Sequence, residues 1–245
     1  MHYIEKGRGE KTFLFLHYFG GAASTWNEVI DCLQNEFRCI AVDLLGFGKS
    51  PLPGKTISVD DSANAVVELI GELHLSNFIL IGHSMGGKIA LAIAALQPEG
   101  LLGLVLIAPS PPSPEPMTDE ERKEMNDAFG NKTKVEKLLH SAMAKPLQAT
   151  VFEREVNNNL SVSEVAWHSW PEMGSKENIT DKMKLVKVAV SIICGEKDKR
   201  FTKQFVRKEF DKYFINFSLA EIKNSGHLLP VEAAKEVAKE IRKSV

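Results

Sequence analysis

The sequence predicts a doubly wound α/β fold built on a mostly parallel sheet. Three observations carry that expectation. Short apolar, β-branched runs of strand length recur along the chain, and segments of helical periodicity separate them. One strand-to-helix junction is made of Gly82-His83-Ser84-Met85-Gly86. Near-continuous apolarity marks strands covered on both faces, as in a parallel sheet with a layer of helices on each side.

In chain order, residues 2–5 read as an edge strand and residues 12–16 as the first buried one. Residues 24–33 open with polar capping residues and continue as a helix; residues 38–42 return to strand. Residues 58–73 place Val59, Ala63, Val66, Val67, Ile70 and Leu73 on one stripe, with Ser58 and Asp61 at capping-box spacing. Residues 78–81 form a strand running into the glycine-bounded turn. Residues 87–96 follow as helix formers, apolar almost all round, hence a buried helix. Residues 103–107 are a further strand.

The alternation then breaks. Residues 108–116 carry five prolines, Pro109, Pro111, Pro112, Pro114 and Pro116, where neither helix nor central strand continues. From residue 118 to about 174 the chain is charged and helix-like, with candidate helices at 119–129, 134–144 and 161–169. Such an insertion is either a lid over the strand ends or a decorative excursion. Ligands of parallel sheets bind beyond the carboxyl ends of the strands, which favours the lid. Residues 188–194 resume the strand pattern, 202–214 are helical, 216–222 form a more polar strand near an edge, and 230–241 close the chain as a helix. The expected division is a core of residues 1–110 and 175–245 with a helical cap at 111–174.

Composition narrows the function classes. A chain of 245 residues is long enough for one large α/β domain. A net charge of -2 argues against a nucleic-acid partner. Cys32, Cys39 and Cys194 show no C-x-x-C spacing, and the last two sit in apolar runs as small hydrophobes. That suits a reducing cytosol. The first residues lack an apolar signal-peptide core and no stretch reaches membrane-span length, so a cytoplasmic protein without a membrane span is expected.

The junction at Ser84 carries the chemistry. A strand, a G-x-S-x-G turn and a buried helix describe a nucleophile elbow, which holds a serine hydroxyl above the sheet on a tight turn. Flanking glycines remove β-carbons where helix and strand approach, and the helix N-terminus favours a developing oxyanion. Serine needs a base, and the base an orienting acid. His227, in the loop between the last strand and last helix, is the expected base; its plainer reading is a cap of that helix. Asp198, just beyond the strand at 188–194, is the expected acid, with Glu196 as rival. The order Ser84, Asp198, His227 is the one expected of such a fold. The N–H groups of Met85 and Phe19 are the candidate oxyanion donors. Tyr18, Leu228 and Trp170 are candidate pocket residues.

The same pieces resemble the α/β-hydrolase superfamily, in particular its small bacterial esterase-like members. The matching segments are residues 17–21 (H-G-x-x-G in the family), 43–50 (D-x-x-G-x-G-x-S), 82–87, 195–198 and 226–232 (G-H-x-x-x-x-E). The resemblance implies the α/β-hydrolase fold with eight or slightly fewer strands, a helical cap between the sixth and seventh, and hydrolysis through an acyl-enzyme. Tyr18 departs from the usual glycine, so it either tilts the oxyanion loop or adds a phenol to the pocket. Phe47 replaces a common histidine. Asp43 and Glu232 read as structural, tying loops to backbone N–H groups. Serine at position 84 argues against haloalkane dehalogenase and epoxide hydrolase relatives, which use aspartate there.

No grouping has metal-ligand spacing, and residues 46–50 lack P-loop spacing; no cofactor or metal is expected. His140, His168, Trp167 and Trp170 read mainly as packing residues of the insertion, and His83 as a support of the elbow. The expected function is cleavage of small to medium carboxylic esters by a monomer or homodimer. Open alternatives are hydrolysis of a thioester, lactone or carbon–carbon bond, acyl transfer to an alcohol or peroxide, and a ligand-binding receptor that retains the triad.

Overall fold

In the computed structural model, which describes residues 1–52, 54 and 56–244, seven strands form one sheet. They are β1 (Tyr3–Lys6), β2 (Thr12–Leu16), β3 (Arg38–Val42), β4 (Phe78–His83), β5 (Leu101–Ile107), β6 (Ala189–Gly195) and β7 (Ser218–Ile222), in the order β1-β3-β2-β4-β5-β6-β7. Only β1 runs antiparallel to its neighbour; the other pairings are parallel. The two segments expected at edges, β1 and the more polar β7, are the edges.

The period of two along each strand divides the core into two layers. Leu14, Leu16, Ile40, Val42, Leu80, Leu104 and Ile192 face one layer, under α2 (Val59–Glu72), α3 (Met85–Ala95) and α8 (Lys203–Phe210). Phe13, Phe15, Cys39, Ile79, Ile81, Val105 and Ile193 face the other, under α1 (Asn27–Leu33), α9 (Leu229–Glu232) and α10 (Ala234–Arg242). Every residue of β2 and β4 is buried, which is why residues 13–16 and 78–81 read as unbroken apolar runs. The capping box of α2 forms as its spacing predicts: Ser58 Oγ accepts from the Asp61 N–H at 2.9 Å, and Asp61 returns a carboxylate oxygen to the Ser58 N–H at 3.0 Å.

With seven strands, the helical insertion falls between the fifth and sixth strands of this chain. It contains α4 (Asp119–Asp127), α5 (Lys132–Ala142), α6 (Ala149–Leu160) and α7 (Glu164–Glu172). Three of these match expected helices, shifted by up to three residues at their ends because Asn131 and Ser163 supply the side-chain caps. The sequence pattern does not predict α6. Asn157, Asn158 and Asn159 are poor helix formers that favour turns, and the helix is held instead by packing of Val156 and by the hydrogen bonds of the buried Glu155 and Asn159 to Tyr18 and Thr25.

Both stems of the insertion are fastened to α3 by one residue. Lys88 lies on α3, fully buried, and its ammonium donates to the backbone carbonyls of Ser113 and Glu177. Burial pushes its pKa down, to about 8. Among the described residues, no helix is long and apolar enough to cross a membrane.

Candidate active site

The carboxyl ends of the parallel strands bring together every loop that the sequence singles out. Ser84 follows β4, at the head of α3, with φ 53° and ψ −116°. A non-glycine residue in this region stores on the order of 1–3 kcal/mol of strain, which the surrounding bonds offset. Its N–H donates to the Ile107 carbonyl at 3.0 Å and its own carbonyl accepts from Gly87 and Ser110. Space is the second constraint. A Cβ on Gly82 would meet the Gly86 carbonyl oxygen at 2.3 Å, and one on Gly86 would meet the Leu16 and His17 carbonyls at 2.6 Å.

Ser84, His227 and Asp198 form one continuous chain of hydrogen bonds. Ser84 Oγ lies 2.9 Å from His227 Nε2, and His227 Nδ1 lies 2.8 Å from Asp198 Oδ2. A carboxylate only accepts, so Nδ1 carries the proton and Nε2 is left to accept the serine proton. Asp198 Oδ1 accepts the N–H groups of Arg200 at 2.8 Å and Phe201 at 3.0 Å. Burial alone would raise the Asp198 pKa, but His227 and the two backbone donors outweigh it and hold the carboxyl down at about 2. Glu196, the alternative acid, instead accepts the Asn224 N–H at 3.0 Å, outside this chain.

The depressed Asp198 pKa has a stability consequence. The native carboxyl gives up its proton more readily than the unfolded one, whose ordinary value is near 3.8. Its contribution is therefore complete above about pH 4 and is lost as pH falls through about 2, a pH-dependent component on the order of 2 kcal/mol. Urea titrations between pH 5 and pH 2 are expected to show this component in the parent protein and not in Asp198→Asn.

The histidine loop is held from three sides. Glu232 accepts from the N–H groups of Gly226, Leu228 and Ala144, so the acidic residue of that motif is a loop tie. The His227 N–H donates to the Ala142 carbonyl at 2.7 Å, at the end of α5. His83 Nε2 donates to the His227 carbonyl at 2.8 Å. Burial pushes the His83 pKa down to about 3, so the ring is neutral and its support extends from the elbow to the histidine loop. Asp43 has an equivalent role elsewhere, accepting from the N–H groups of Ala23 and Lys49.

The loop after β2 is organised around one peptide plane. His17 Nε2 accepts the Leu44 N–H at 3.0 Å, which puts the ring proton on Nδ1, and Nδ1 donates to the Tyr18 carbonyl at 2.7 Å. Burial pushes His17 down to about 4 and keeps it neutral. The Gly21 N–H donates to the same carbonyl at 3.0 Å. A planar trans peptide whose carbonyl is held on one side must aim its N–H to the other, and that N–H belongs to Phe19. Among the described residues, neither the Phe19 nor the Met85 N–H has a protein acceptor.

A cavity of about 290 Å³ opens over Ser84 and His227. Tyr18, Phe19, Trp170 and Leu228 line it, so the three candidate pocket residues share one space with the serine. Trp167 is fully buried and bonded to the Met125 carbonyl, and His140 stacks on Phe152, both as packing residues. The cavity wall also contains charges that sequence reasoning missed. Arg200 lies 3.7 Å from the buried Glu115 and 3.6 Å from Glu121, and Lys199 stands beside it. Position in the Asp198 loop is the only sequence signal for Arg200; nothing local points to Glu115.

Comparison with known proteins agrees with this fold. Residues 11–129 match the family described as alpha/beta hydrolase fold. Over 111 residues the chain is 34% identical to the dihydrolipoyllysine-residue acetyltransferase component of the acetoin cleaving system of Cupriavidus necator, covering 44% of this chain and 29% of that protein. It thus spans under a third of that relative's length. A putative 2-succinyl-6-hydroxy-2,4-cyclohexadiene-1-carboxylate synthase of Bacillus subtilis is 25% identical over 234 residues, 89% of this chain and 84% of that protein. The esterase of Exiguobacterium antarcticum superposes with a TM-score of 0.90 at 20% identity, covering 99% of this chain and 94% of that one. The last likeness speaks for the fold alone. Sheet order, elbow and structural likeness together give this chain the α/β-hydrolase fold, and residues 11–129 are similar in sequence to that family.

Proposed function

We propose that the protein is a cofactor-independent serine hydrolase of carboxylic esters with small to medium acyl groups. The observation that carries this reading is the unbroken bonding from Ser84 Oγ through the His227 ring to Asp198 at the floor of the cavity. The ester carbonyl sits over Ser84 with its oxygen toward the N–H groups of Phe19 and Met85. Ser84 attacks as His227 Nε2 takes its proton, and Asp198 stabilises the imidazolium. The two N–H groups and the start of α3 meet the charge on the tetrahedral oxygen. His227 returns the proton to the departing alcohol, then activates water to release the acid from Ser84. The helices at 119–172 act as the cap that limits the acyl group.

A panel of p-nitrophenyl esters from acetate to laurate tests the reading, together with mass mapping of a fluorophosphonate adduct. Many-fold turnover peaking at the shorter chains, and an adduct on Ser84, are the expected results. A single turnover with retained product would favour a ligand-binding receptor instead.

One observation keeps a second reading. One relative matched over most of both chains is named a putative synthase of a cyclohexadiene carboxylate, and Arg200 and Lys199 line the cavity as cations of the kind that hold a carboxylate. Inhibition by simple dicarboxylates, with no turnover of neutral esters, would favour it.

A further inference from the structure

Helix α6 enters the loop after β2 through buried polar groups. Glu155 is fully buried. Its Oε2 accepts from the Tyr18 hydroxyl at 3.1 Å and the Thr25 hydroxyl at 2.8 Å, and its Oε1 accepts from Arg154 Nε at 3.0 Å. One turn later Asn159 Nδ2 donates to the Tyr18 hydroxyl oxygen at 3.3 Å. Asn159 also lies against the backbone of Gly20 (φ +84°), where a Cβ would meet its Oδ1 at 2.1 Å. The Ser24 hydroxyl donates to Asn158 at 3.1 Å, and Arg154 forks onto Glu28 at 2.6 and 2.9 Å. Residues 18–28 are thus held along their length by one helix of the insertion.

Docking a helix does not require a buried carboxylate. Apolar side chains of similar volume would hold α6 as well or better, since taking a charge out of water carries a desolvation cost. What directional bonds add is a defined orientation of the groups that make them. Tyr18 is the residue whose carbonyl precedes the Phe19 N–H. That carbonyl is already clamped by His17 and Gly21, and Glu155 and Asn159 clamp the side chain from the opposite direction. Held at both places, the peptide plane between Tyr18 and Phe19 has little freedom to rotate.

We propose that Glu155 is a positioning residue of the oxyanion loop: through Tyr18 and Thr25 it keeps the Phe19 N–H aimed at the oxygen of the reacting acyl group. This rests on the hydrolase reading above. It makes the insertion part of the framework that orients the reacting carbonyl as well as a cover over it.

The test compares the parent protein with Tyr18→Phe, Glu155→Gln and the double variant. Three readouts are needed: kcat and KM for p-nitrophenyl butyrate per titrated active site, the second-order rate of fluorophosphonate labelling at Ser84, and the thermal midpoint. Each single variant should lower kcat and the labelling rate about tenfold while KM moves less than about threefold. The double variant should lose no more than the worse single one, because both cut the same connection. Tyr18→Phe removes one hydroxyl and keeps the ring, so it decides the matter even where Glu155→Gln does not fold. Rates within about twofold of the parent in folded Tyr18→Phe, with only the thermal midpoint lowered, overturn the inference and leave the hydrolase reading standing. A parent protein that never labels at Ser84 removes both together.

Discussion

Ser84→Ala should reduce ester turnover on the order of a millionfold while the protein remains folded. Among the described residues the hydroxyl bonds only to His227 Nε2, so its loss leaves no buried backbone group unpaired, and alanine meets the same backbone demand at φ 53° as serine does. Residual catalysis would come from the oxyanion donors and from binding alone. Ser84→Ala/His227→Ala should lose little beyond the single change, because nucleophile and base act as one unit. Steady-state rates with circular dichroism on the same samples check this. Turnover above about 1% of the parent in folded Ser84→Ala would place the nucleophile elsewhere.

Asp198→Asn should cost about ten-thousandfold in kcat, and the structure supplies the reason. Asp198 Oδ1 already accepts two backbone N–H groups, from Arg200 and Phe201. An asparagine oxygen stays with those donors, which turns the NH2 toward His227 Nδ1. The imidazole must then accept at Nδ1 and carry its proton on Nε2, where it can no longer receive one from Ser84. Glu196, by contrast, bonds the Asn224 N–H and lies 3.6 Å from the Lys197 ammonium, away from His227, so Glu196→Gln should stay within about threefold of the parent. An inactive Glu196→Gln beside an active Asp198→Asn would reverse the assignment of the acid.

The legible and illegible parts of this chain differ in the range of the forces that create them. Residues 13–16 of β2 and 78–81 of β4 are legible because burial on both faces leaves no polar position in them. The elbow is legible because the close approach of Gly82 to Gly86, and of Gly86 to the carbonyls of Leu16 and His17, forbids side chains. The acid was open between Asp198 and Glu196, two residues apart in one turn. The bond to His227 that separates them is made by a loop 29 positions further on. Helix α6 is hidden for a similar reason. Its three asparagines weigh against a helix locally, while the partners of Glu155 and Asn159 lie more than 120 positions earlier, at Tyr18 and Thr25. Lys88 is the mirror case. It stands as one charge in an apolar helix, and only the two carbonyls contributed by the stems of the insertion explain its burial.

By itself, then, the sequence determined the layered α/β plan, the strained turn at Ser84 and the three residue types that a nucleophile, a base and an acid require. Periodicity, glycine sterics and motif order are properties of short stretches of chain, readable without a partner. Only the tertiary structure decided which carboxylate meets the imidazole, which ring nitrogen of His17 faces Tyr18, and that a helix of the insertion grips the loop beside the serine. Each of these is a hydrogen bond between distant segments, and its direction exists only once the sheet has brought the strand ends to one side.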